Sequence, residues 1–420
     1  MIENAHQELK NMTRIAVIGS GISGLSTSYL LSKNQNFHVD LYEKESRLGG
    51  HTHTHELDIK GDTVRVDSGF IVLNKLNYPN LINLFLELEV EINPSSMSFS
   101  YSDGSNAWSS EDYKKPSFLL SKSSIKRFLE IIRFKKLALS EKNHASGKTL
   151  WEWLTEMNFS HNFIHEYVIP MASSIWSSDF DVIKNFPFQT FINFYDNHQL
   201  FNLIQRPQWQ SVNNGSSTYI NKMQASWNVK NVFLESNPQV KYTNKFQILH
   251  KEKLYEYDKI IFGCHANQIN NIFPEINNII GTNILSKFKY SKNLVSIHTD
   301  QSVMPFNKTQ WSSWNVQHTD NSFFLTYWMN NLQKLNTTQD IFVSLGENSR
   351  IGDDSLIKNF EYQHPIYSEK SVEAQIELNN LQGKGGIYFV GAYLGYGFHE
   401  DGLNSAIRVS NQIMGDVNVF

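Results

Sequence analysis

Apolar residues near the start of the chain change from a continuous run to a helical spacing. Residues 14–19, "RIAVIG", are almost all apolar, as expected for a strand buried on both faces of a parallel sheet. Apolar residues then recur at helical spacing over residues 22–31, and a second apolar run, "FHVDLYE", follows. The order strand, helix, strand predicts the start of a doubly wound α/β domain.

Three glycines stand between the first predicted strand and helix, in the pattern G-x-G-x-x-G at Gly19, Gly21 and Gly24. The first allows a tight turn, the second lets a pyrophosphate approach the backbone, and the third lets the helix lie close to the strand. Glu43 ends the second predicted strand, where a carboxylate can accept hydrogen bonds from both ribose hydroxyls of an adenosine. These features together predict a dinucleotide site rather than a glycine-rich turn without a ligand.

The segment after Glu43 reads "KESRLGGH". An acidic residue followed by R-x-G-G resembles the glutathione-reductase-type FAD-binding fold and, within it, the flavin amine oxidase and phytoene desaturase superfamily. The resemblance implies FAD as the cofactor, and we expect it to be held without a covalent bond. It implies cofactor contacts from Lys44, Arg47, Gly49 and Gly50, the last three near the pyrophosphate.

Two later segments extend the resemblance. The motif D-x-G at Asp67 and Gly69 implies a backbone that passes over the edge of the flavin ring. Val240, in "NPQVKYT", is implied as a backbone contact to the adenine.

The C-terminal segment carries the second strong signal. An apolar run at 387–390 precedes Gly391, a glycine-rich loop, and a predicted helix from about Gly402, with Asp401 as its N-cap. The resemblance implies that this helix directs its N-terminus at the flavin ring, where the helix dipole stabilises negative charge. Gly391, Gly402 and Leu403 are therefore further expected cofactor contacts, with Gly402 pressed against the ring.

Three histidines, His51, His53 and His55, alternate with threonines after the double glycine. On a strand they would share one face, about 7 Å apart in succession, which is too far for His51 and His55 to share one ion easily. Because zinc needs three or four converging ligands, we expect no metal site here. A flavin-adjacent strand is also favoured over a covalent bond between a histidine and the flavin.

The remaining motifs indicate a discontinuous organisation. We expect a loose leader at 1–13, an FAD-binding domain at 14–75, 205–265 and 375–420, and an interleaved α+β substrate or cap domain at 76–204 and 266–374. Within the cap, residues 114–139 are basic and amphipathic. Such a helix can rest on an anionic membrane surface, although an ordinary surface helix covering the core is the favoured alternative.

Composition excludes several function classes. The chain has 420 residues, a net charge of −4 and one cysteine, Cys264. It is not basic enough for a general nucleic-acid binder, and one cysteine allows neither an internal disulfide nor a cysteine-based zinc site. The first residues contain no apolar signal segment, so a cytoplasmic protein is expected, with peripheral contact to the membrane's inner face as an open alternative. Cys264 is expected to be a small buried hydrophobe rather than a catalytic thiol.

Several separated motifs extend the resemblance to most of the chain, about residues 14–414. They include "VDSGFIVLN", "RPQWQSVNNGSSTYI", "GCHANQ", "TYWMNNLQ", "HPIY" and "GAYLGYGFHEDGL". Together they resemble a bacterial family of NAD/FAD-binding, amine-oxidase-like proteins that are often encoded beside cyclopropane-fatty-acid-synthase-like methyltransferases. The resemblance implies the fold and FAD, and it makes a fatty-acid-modifying methyltransferase a possible partner.

Three functions then compete. The favoured one is dehydrogenation, desaturation or isomerisation of a lipid acyl chain by hydride transfer to flavin N5. The second is amine oxidation, for which the superfamily commonly holds a lysine at N5; here Lys308 is the only lysine in the corresponding region. The third is a non-catalytic, FAD-containing partner of a lipid methyltransferase.

Candidate catalytic groups are titratable or aromatic residues expected near the ring. His399 and Tyr327 are the favoured pair. The other candidates are Glu400, His364, Tyr367 and Trp328.

Overall fold

The computed structural model describes residues 12–104, 106–142, 147–202, 206–319 and 322–415. Residues 1–11 of the predicted leader lie outside the described residues, and Thr13 already belongs to the first strand. No helix of the described residues is long and apolar enough to cross a bilayer.

The described residues form twenty strands: β1 (Thr13–Ile18), β2 (Phe37–Tyr42), β3 (Thr54–Ile59), β4 (Asp62–Asp67), β5 (Leu73–Asn74), β6 (Ile92–Pro94), β7 (Phe99–Ser102), β8 (Ala107–Ser109), β9 (Trp209–Val212), β10 (Asn231–Phe233), β11 (Val240–Tyr242), β12 (Phe246–His250), β13 (Lys253–Tyr257), β14 (Lys259–Phe262), β15 (Lys289–His298), β16 (Trp314–Thr319), β17 (Ser322–Trp328), β18 (Phe342–Leu345), β19 (Leu356–Ile366) and β20 (Ile387–Phe389).

The same residues form fourteen α-helices: α1 (Ile22–Ser32), α2 (Pro79–Glu87), α3 (Lys122–Glu141), α4 (Leu150–Glu156), α5 (His161–Phe163), α6 (Ile169–Trp176), α7 (Phe180–Lys184), α8 (Phe188–Asn197), α9 (Ser217–Ser226), α10 (Ala266–Ile272), α11 (Ile276–Ile280), α12 (Met329–Gln333), α13 (Glu369–Asn380) and α14 (His399–Met414).

A five-stranded sheet carries the glycine-rich turn. Its order is β10-β2-β1-β14-β20, and each neighbouring pair is parallel. Alternate residues of the central strand β1 enter different cores: Ile15 and Val17 pack with α1 and α14, whereas Ala16 and Ile18 pack with α10 and α13. Because both faces are covered by helices, residues 15–18 of the strand are all apolar and buried, as the sequence predicts.

A second, seven-stranded sheet has the order β19-β15-β18-β17-β16-β7-β8. Its pairs are antiparallel except for the parallel pair of β16 and β7. Residues of β16, β17 and β18 share one large core with α3, α4, α6 and α8. This core is rich in aromatics; Trp153 and Phe188, for example, stack with ring centroids 4.1 Å apart.

The predicted elements around the glycines are confirmed, since β1, α1, β2 and β20 occupy the expected segments. The predicted start of the last helix is wrong: α14 begins at His399, not near Gly402. Asp401 is therefore the third helical residue rather than the N-cap. Its carboxylate accepts a hydrogen bond from the amide of Phe398, the actual N-cap, at 3.0 Å. An acid at this position serves the N-terminus as well as an N-cap acid does.

Candidate functional site

The turn between β1 and α1 depends on its glycines. Gly19 has a φ of +97°, and a Cβ atom on Gly24 would lie 1.9 Å from the Gly19 carbonyl oxygen. A Cβ atom on Gly21, in contrast, would meet nothing within 4 Å, and Gly21 lines the main cavity. The turn thus packs the helix tightly on the strand while leaving open space at the second glycine, as a pyrophosphate requires.

The double glycine that follows Arg47 lies against this turn. Gly49 and Gly50 have φ values of +116° and +56°, and a Cβ atom on Gly50 would lie 3.2 Å from the Cα of Gly21. The amide of Gly49 donates to the carbonyl of Ser20 at 3.0 Å. Segments some thirty residues apart in the chain therefore form one glycine-lined surface, and the positive φ values of Gly49 and Gly50 favour glycine in the second segment.

Glu43 lies buried at the end of β2 beside the glycine turn. Its carboxylate accepts hydrogen bonds from the amide of Ser20 at 2.8 Å and from the amide of Glu45 at 2.9 Å. The amides fix the carboxylate at the carboxyl edge of the parallel sheet, which is where adenosine ribose binds in dinucleotide folds.

The main cavity, of about 910 Å³, extends from this glycine surface to the aromatic core beneath the second sheet. Its volume is at the upper end of the range for ligand sites. Glycines and histidines line one half, and the other half is lined largely by aromatic and long aliphatic side chains. These include Trp108, Tyr167, Met171, Ile175, Trp314 and Tyr327.

Of the predicted cofactor residues, only Gly21, Gly49, Gly69 and Gly391 line this cavity. Glu43 lies beside the glycine turn but outside the lining, and Arg47 and Lys44 also lie outside it. Arg47 donates to the carbonyl oxygens of Gly50 at 2.8 Å and Thr52 at 3.2 Å, so it stabilises the glycine loop. The ammonium of Lys44 lies 3.4 Å from the carboxylate of Glu45, and more than half of each side chain is exposed.

Asp67 and Gly69 have different positions. Asp67 is fully buried away from the cavity wall, and its carboxylate accepts from the Ser216 amide at 2.9 Å and from Gln333 Nε2 at 2.7 Å. It joins β4 to the start of α9 and the end of α12. Gly69 does line the cavity, and a Cβ atom there would lie 2.2 Å from the His51 carbonyl oxygen. Gly69 thus allows two cavity-wall segments to touch.

Val240 and the last helix contribute differently from the expectation. Val240 is buried in a small sheet, paired with Ile248, and does not belong to the cavity lining. Gly391 lines the cavity, whereas Leu403 is fully buried in the core. A Cβ atom on Gly402 would lie 2.7 Å from Ile22 Cγ2. Gly402 therefore permits close packing of α14 on α1, and its expected contact with the ring stays a prediction.

His399, the first residue of α14, lines the cavity. Its Nε2 lies 2.9 Å from Thr52 Oγ1, and its ring stacks on Phe70 with centroids 3.7 Å apart. Burial lowers the pKa of His399 to about 3, so the imidazole is neutral at pH 7. It can exchange hydrogen bonds within the cavity without carrying charge.

Tyr327 and Trp328 point in opposite directions from β17. Tyr327 lines the aromatic half of the cavity, where its ring meets Trp314 edge-on at 5.1 Å. Trp328 instead donates from Nε1 to Asp340 at 3.0 Å, away from the cavity. The alternation of side chains along a strand explains the difference, and Trp328 is no longer a candidate.

Three other candidates also lie elsewhere. Glu400 accepts from the amides of Asn80 and Leu81, both at 2.9 Å, and so caps the N-terminus of α2. Tyr367 is buried outside the cavity wall, packed against Phe186. Lys308 is largely exposed and pairs with Asp340 at 3.1 Å, so it does not line the cavity.

His51, His265 and His364 form a cluster at the cavity wall that sequence reasoning did not bring together. The ring centroid of His51 lies 5.8 Å from that of His265 and 5.1 Å from that of His364. Burial is the main cause that lowers the pKa of His51 to about 4 and that of His265 to about 3. The available signals were the motifs "GCHA", which follows β14, and "HPIY" in β19, which converge only in three dimensions.

His53 and His55 do not join this cluster. Their ring centroids are 3.8 Å apart and both rings lie near Phe360. His53 precedes β3, which begins at Thr54, and the two rings lie closer together than the spacing of about 7 Å between alternate residues along a strand. His51 thus belongs to the cluster at the cavity wall, whereas His53 and His55 lie beside Phe360.

Comparisons with known proteins agree with the fold. The family described as an NAD(P)-binding Rossmann-like domain matches residues 17–88. No curated protein matches the chain.

Among solved structures, cyclohexylamine oxidase from Brevibacterium oxydans IH-35A aligns with a TM-score of 0.68 and 15% identity, over 96% of this chain and 100% of its own. A CLA-producing fatty acid isomerase from P. acnes gives a TM-score of 0.67 and 12% identity, over 96% and 98%. Putrescine oxidase bound to putrescine gives 0.64 and 14%, over 96% and 99%. The predicted α/β fold class with a Rossmann-like dinucleotide-binding domain is confirmed.

Proposed function

We propose that this protein is an FAD-dependent oxidoreductase that holds its cofactor without a covalent bond and acts on the acyl chain of a lipid. One observation carries the proposal: the glycine turn, the double-glycine loop and the first turn of α14 open into the same cavity, whose other half is largely aromatic and aliphatic. The glycine half suits a dinucleotide, and the apolar half suits a long hydrocarbon substrate.

The residues of the glycine half fit a flavin dinucleotide. The open position at Gly21 and the N-terminal amides of α1 would receive the pyrophosphate, and Glu43 would bind the adenosine ribose. Gly69 and Gly391 would border the ring system. When bound, FAD supplies an acceptor for a hydride and its two electrons.

The apolar half would orient the substrate and exclude water. Tyr327 and Trp314 offer ring faces and edges to a hydrocarbon chain, and burying such a chain is favourable in proportion to its apolar area. His399, neutral and hydrogen-bonded to Thr52, would hold a polar group of the reacting segment at the junction of the two halves.

The structurally similar proteins suggest two classes of substrate, fatty acids and amines. One neighbour is a fatty acid isomerase and two are amine oxidases. Amine oxidation is the second candidate function, favoured by the aromatic cavity wall, since aromatic faces attract ammonium groups. It is ranked lower because Lys308 lies outside the cavity and pairs with Asp340.

Anaerobic absorbance spectroscopy of the FAD-loaded protein separates the alternatives. Bleaching of the flavin by unsaturated phospholipids or fatty acids supports the lipid reaction, and bleaching only by primary amines or polyamines supports the second candidate. Product analysis of the same lipid mixtures detects a redox-neutral isomerisation. No bleaching and no product would contradict both reactions and favour an FAD-containing partner of a methyltransferase.

Matched variants connect the reaction to the cavity. His399→Gln and Tyr327→Phe are expected to lower the rate of substrate-dependent bleaching by at least about tenfold, about 1.4 kcal/mol of barrier. His53→Gln is the control, because His53 lies outside the cavity lining and contacts His55 and Tyr362. If the three variants bleach the flavin at equal rates, His399 and Tyr327 do not take part in the reaction.

A further inference from the structure

Helix α3 carries two apolar stripes, and only one of them is covered. Ile131, Phe134 and Ala138 are buried in the core beneath the second sheet. Leu129 and Ile132 are exposed by 59% and 48%. At about 100° per residue, these two residues lie on the side of the helix turned away from the buried stripe.

The short 3-10 helix Pro116–Leu120, which precedes α3, extends this exposed apolar surface. Leu119 and Leu120 are exposed by 72% and 87%. Phe118 of the same turn contacts Phe128 of α3, with ring centroids 5.7 Å apart, so the two segments are packed together. We call Leu119, Leu120, Leu129 and Ile132 the leucine patch.

Cations surround the leucine patch, although the chain as a whole has a net charge of −4. Residues 114–136 contain eight lysines and arginines and a single acid, Glu130, whose carboxylate accepts from the amide of Ser160. Arg127 pairs with Glu166, and Lys114 and Lys115 pair with Glu111 and Asp112, which lie just before this segment. Among the described residues, no carboxylate forms an ion pair with Lys122, Lys126 or Lys136.

The main cavity reaches the same segment from its inner side. Tyr113, Lys114, Phe128 and Ile131 belong to its lining. The side chain of Lys114 is exposed by 72%, so the cavity comes to the surface close to the leucine patch. If another surface were bound to the leucine patch, a molecule released from that surface would have a short path into the apolar half of the main cavity.

We propose that the leucine patch and its lysines form a docking site for the headgroup surface of an anionic phospholipid bilayer. The leucines would enter the boundary between headgroups and acyl chains, and the lysines would lie among the phosphates. An anionic bilayer is the partner that the charges favour, because Lys122, Lys126 and Lys136 form no ion pair within the described part of the chain and lie beside exposed leucines. Such a surface complements one that is both anionic and amphipathic. The delivery of a lipid substrate through the adjacent opening depends on the proposed function being correct. The docking of the protein on the bilayer does not depend on it.

Vesicle co-sedimentation of the full chain loaded with FAD tests the proposal. The protein is expected to pellet with vesicles of phosphatidylcholine and phosphatidylglycerol, to remain in solution with phosphatidylcholine alone, and to be released by salt. Replacing Lys122, Lys126 and Lys136 together by Glu should lower binding by at least about a hundredfold, since each lysine contributes about fivefold. The control replaces the exposed Lys75, Lys241 and Lys251 by Glu.

A second set of variants tests the apolar contribution. Leu119→Ser, Leu120→Ser and Leu129→Ser combined should weaken pelleting, whereas Leu86→Ser and Ile376→Ser, two exposed apolar residues elsewhere, should not. Circular dichroism and FAD content establish that each variant is folded. Wild-type protein that does not pellet with anionic vesicles, or patch variants that pellet like their controls, would overturn the proposal. So would gel filtration showing that the patch instead joins two copies of the chain.

The vesicle test needs no turnover, so it can fail or succeed independently of the proposed reaction. If the protein docks and the proposed function is also correct, the leucine variants should lose activity on lipids in vesicles while retaining activity on detergent-dispersed lipids. If the protein binds anionic vesicles but catalyses no lipid reaction, the docking proposal is supported and only the proposed substrate is wrong.

Discussion

Gly24 lies so close to Gly19 that a Cβ atom on Gly24 would be 1.9 Å from the Gly19 carbonyl oxygen, whereas Gly21, two residues after Gly19, faces open space. A substitution at Gly24 therefore tests the stability of the fold, and a substitution at Gly21 tests the binding of the cofactor. Gly24→Ala is expected to lower the free energy of unfolding by at least about 3 kcal/mol, because the backbone cannot accommodate the methyl group.

Gly21→Ala is expected to change the free energy of unfolding of the apoprotein by less than about 1 kcal/mol. It should weaken FAD binding at least about tenfold, about 1.4 kcal/mol, because the methyl group would occupy the proposed pyrophosphate position. Chemical denaturation and FAD titration of both variants measure the two effects. An unchanged FAD affinity in Gly21→Ala would contradict the proposed position of the pyrophosphate.

Asp67 is expected to be a stability determinant. Its carboxylate accepts hydrogen bonds from the Ser216 amide, the Ser216 hydroxyl and Gln333 Nε2. Asp67→Ala should lower the free energy of unfolding by about 3 kcal/mol, because it leaves these buried donors without an acceptor. The exposed Asp62, on the same strand, provides the control variant Asp62→Ala. Equal denaturation midpoints for the two variants would show that the hydrogen bonds of Asp67 are dispensable.

The free energy of unfolding is expected to fall when the pH is lowered from 7 to 5. Burial is the main cause that lowers the pKa of several histidines to about 3 or 4, namely His51, His55, His265, His298 and His399. Unfolded histidines titrate near 6.5, so between about pH 4 and 6.5 the unfolded chain binds more protons than the folded chain. Stability therefore rises with pH across this window.

Three buried carboxyls oppose this trend, and one of them is Glu400, whose pKa burial raises above its usual value. Burial raises the pKa of Asp67 to about 6 and that of Asp401 to about 7, so each favours the folded state below its raised pKa and loses that contribution as the pH rises. The histidines outnumber them, and the net effect should be destabilisation in acid. Denaturation at pH 7 and pH 5 measures the net effect, and His298→Gln is expected to reduce the difference between the two pH values. Greater stability at pH 5 would refute the account.

Cys264 is expected to be unreactive although it lines the cavity. Burial is the main cause that raises the pKa of its thiol to about 12, so almost no thiolate exists at pH 8. Alkylation by iodoacetamide should be at least about a hundredfold slower in the folded protein than in denaturant, because the thiolate is the reacting form. A fast reaction of the folded protein would indicate an activated thiol.

The glycine-rich part of the site could be predicted from the sequence because its geometry is local. Gly19 and Gly24 lie five residues apart, and their roles follow from one strand-turn-helix unit. The position of His399 at the cavity wall was also foreseen, whereas the start of α14 was not, because an acid can serve the helix from the third position as well as from the N-cap.

The histidine cluster and the role of Gly402 could not be predicted in this way. His51, His265 and His364 come from three segments that are far apart in the chain, and their rings meet only in the folded protein. Gly402 is explained by the packing of α14 against Ile22 of α1, a contact between the two ends of the chain. Long-range packing of this kind leaves little trace in local patterns.

The visible spectrum of the purified, folded protein, followed by acid precipitation, tests the central claim most directly. The account predicts the two-band absorbance of oxidised flavin in about one-to-one ratio with the chain, and release of intact FAD into the acid supernatant. Colourless, folded protein that takes up no added FAD would contradict it, and a yellow precipitate with a colourless supernatant would contradict the non-covalent attachment.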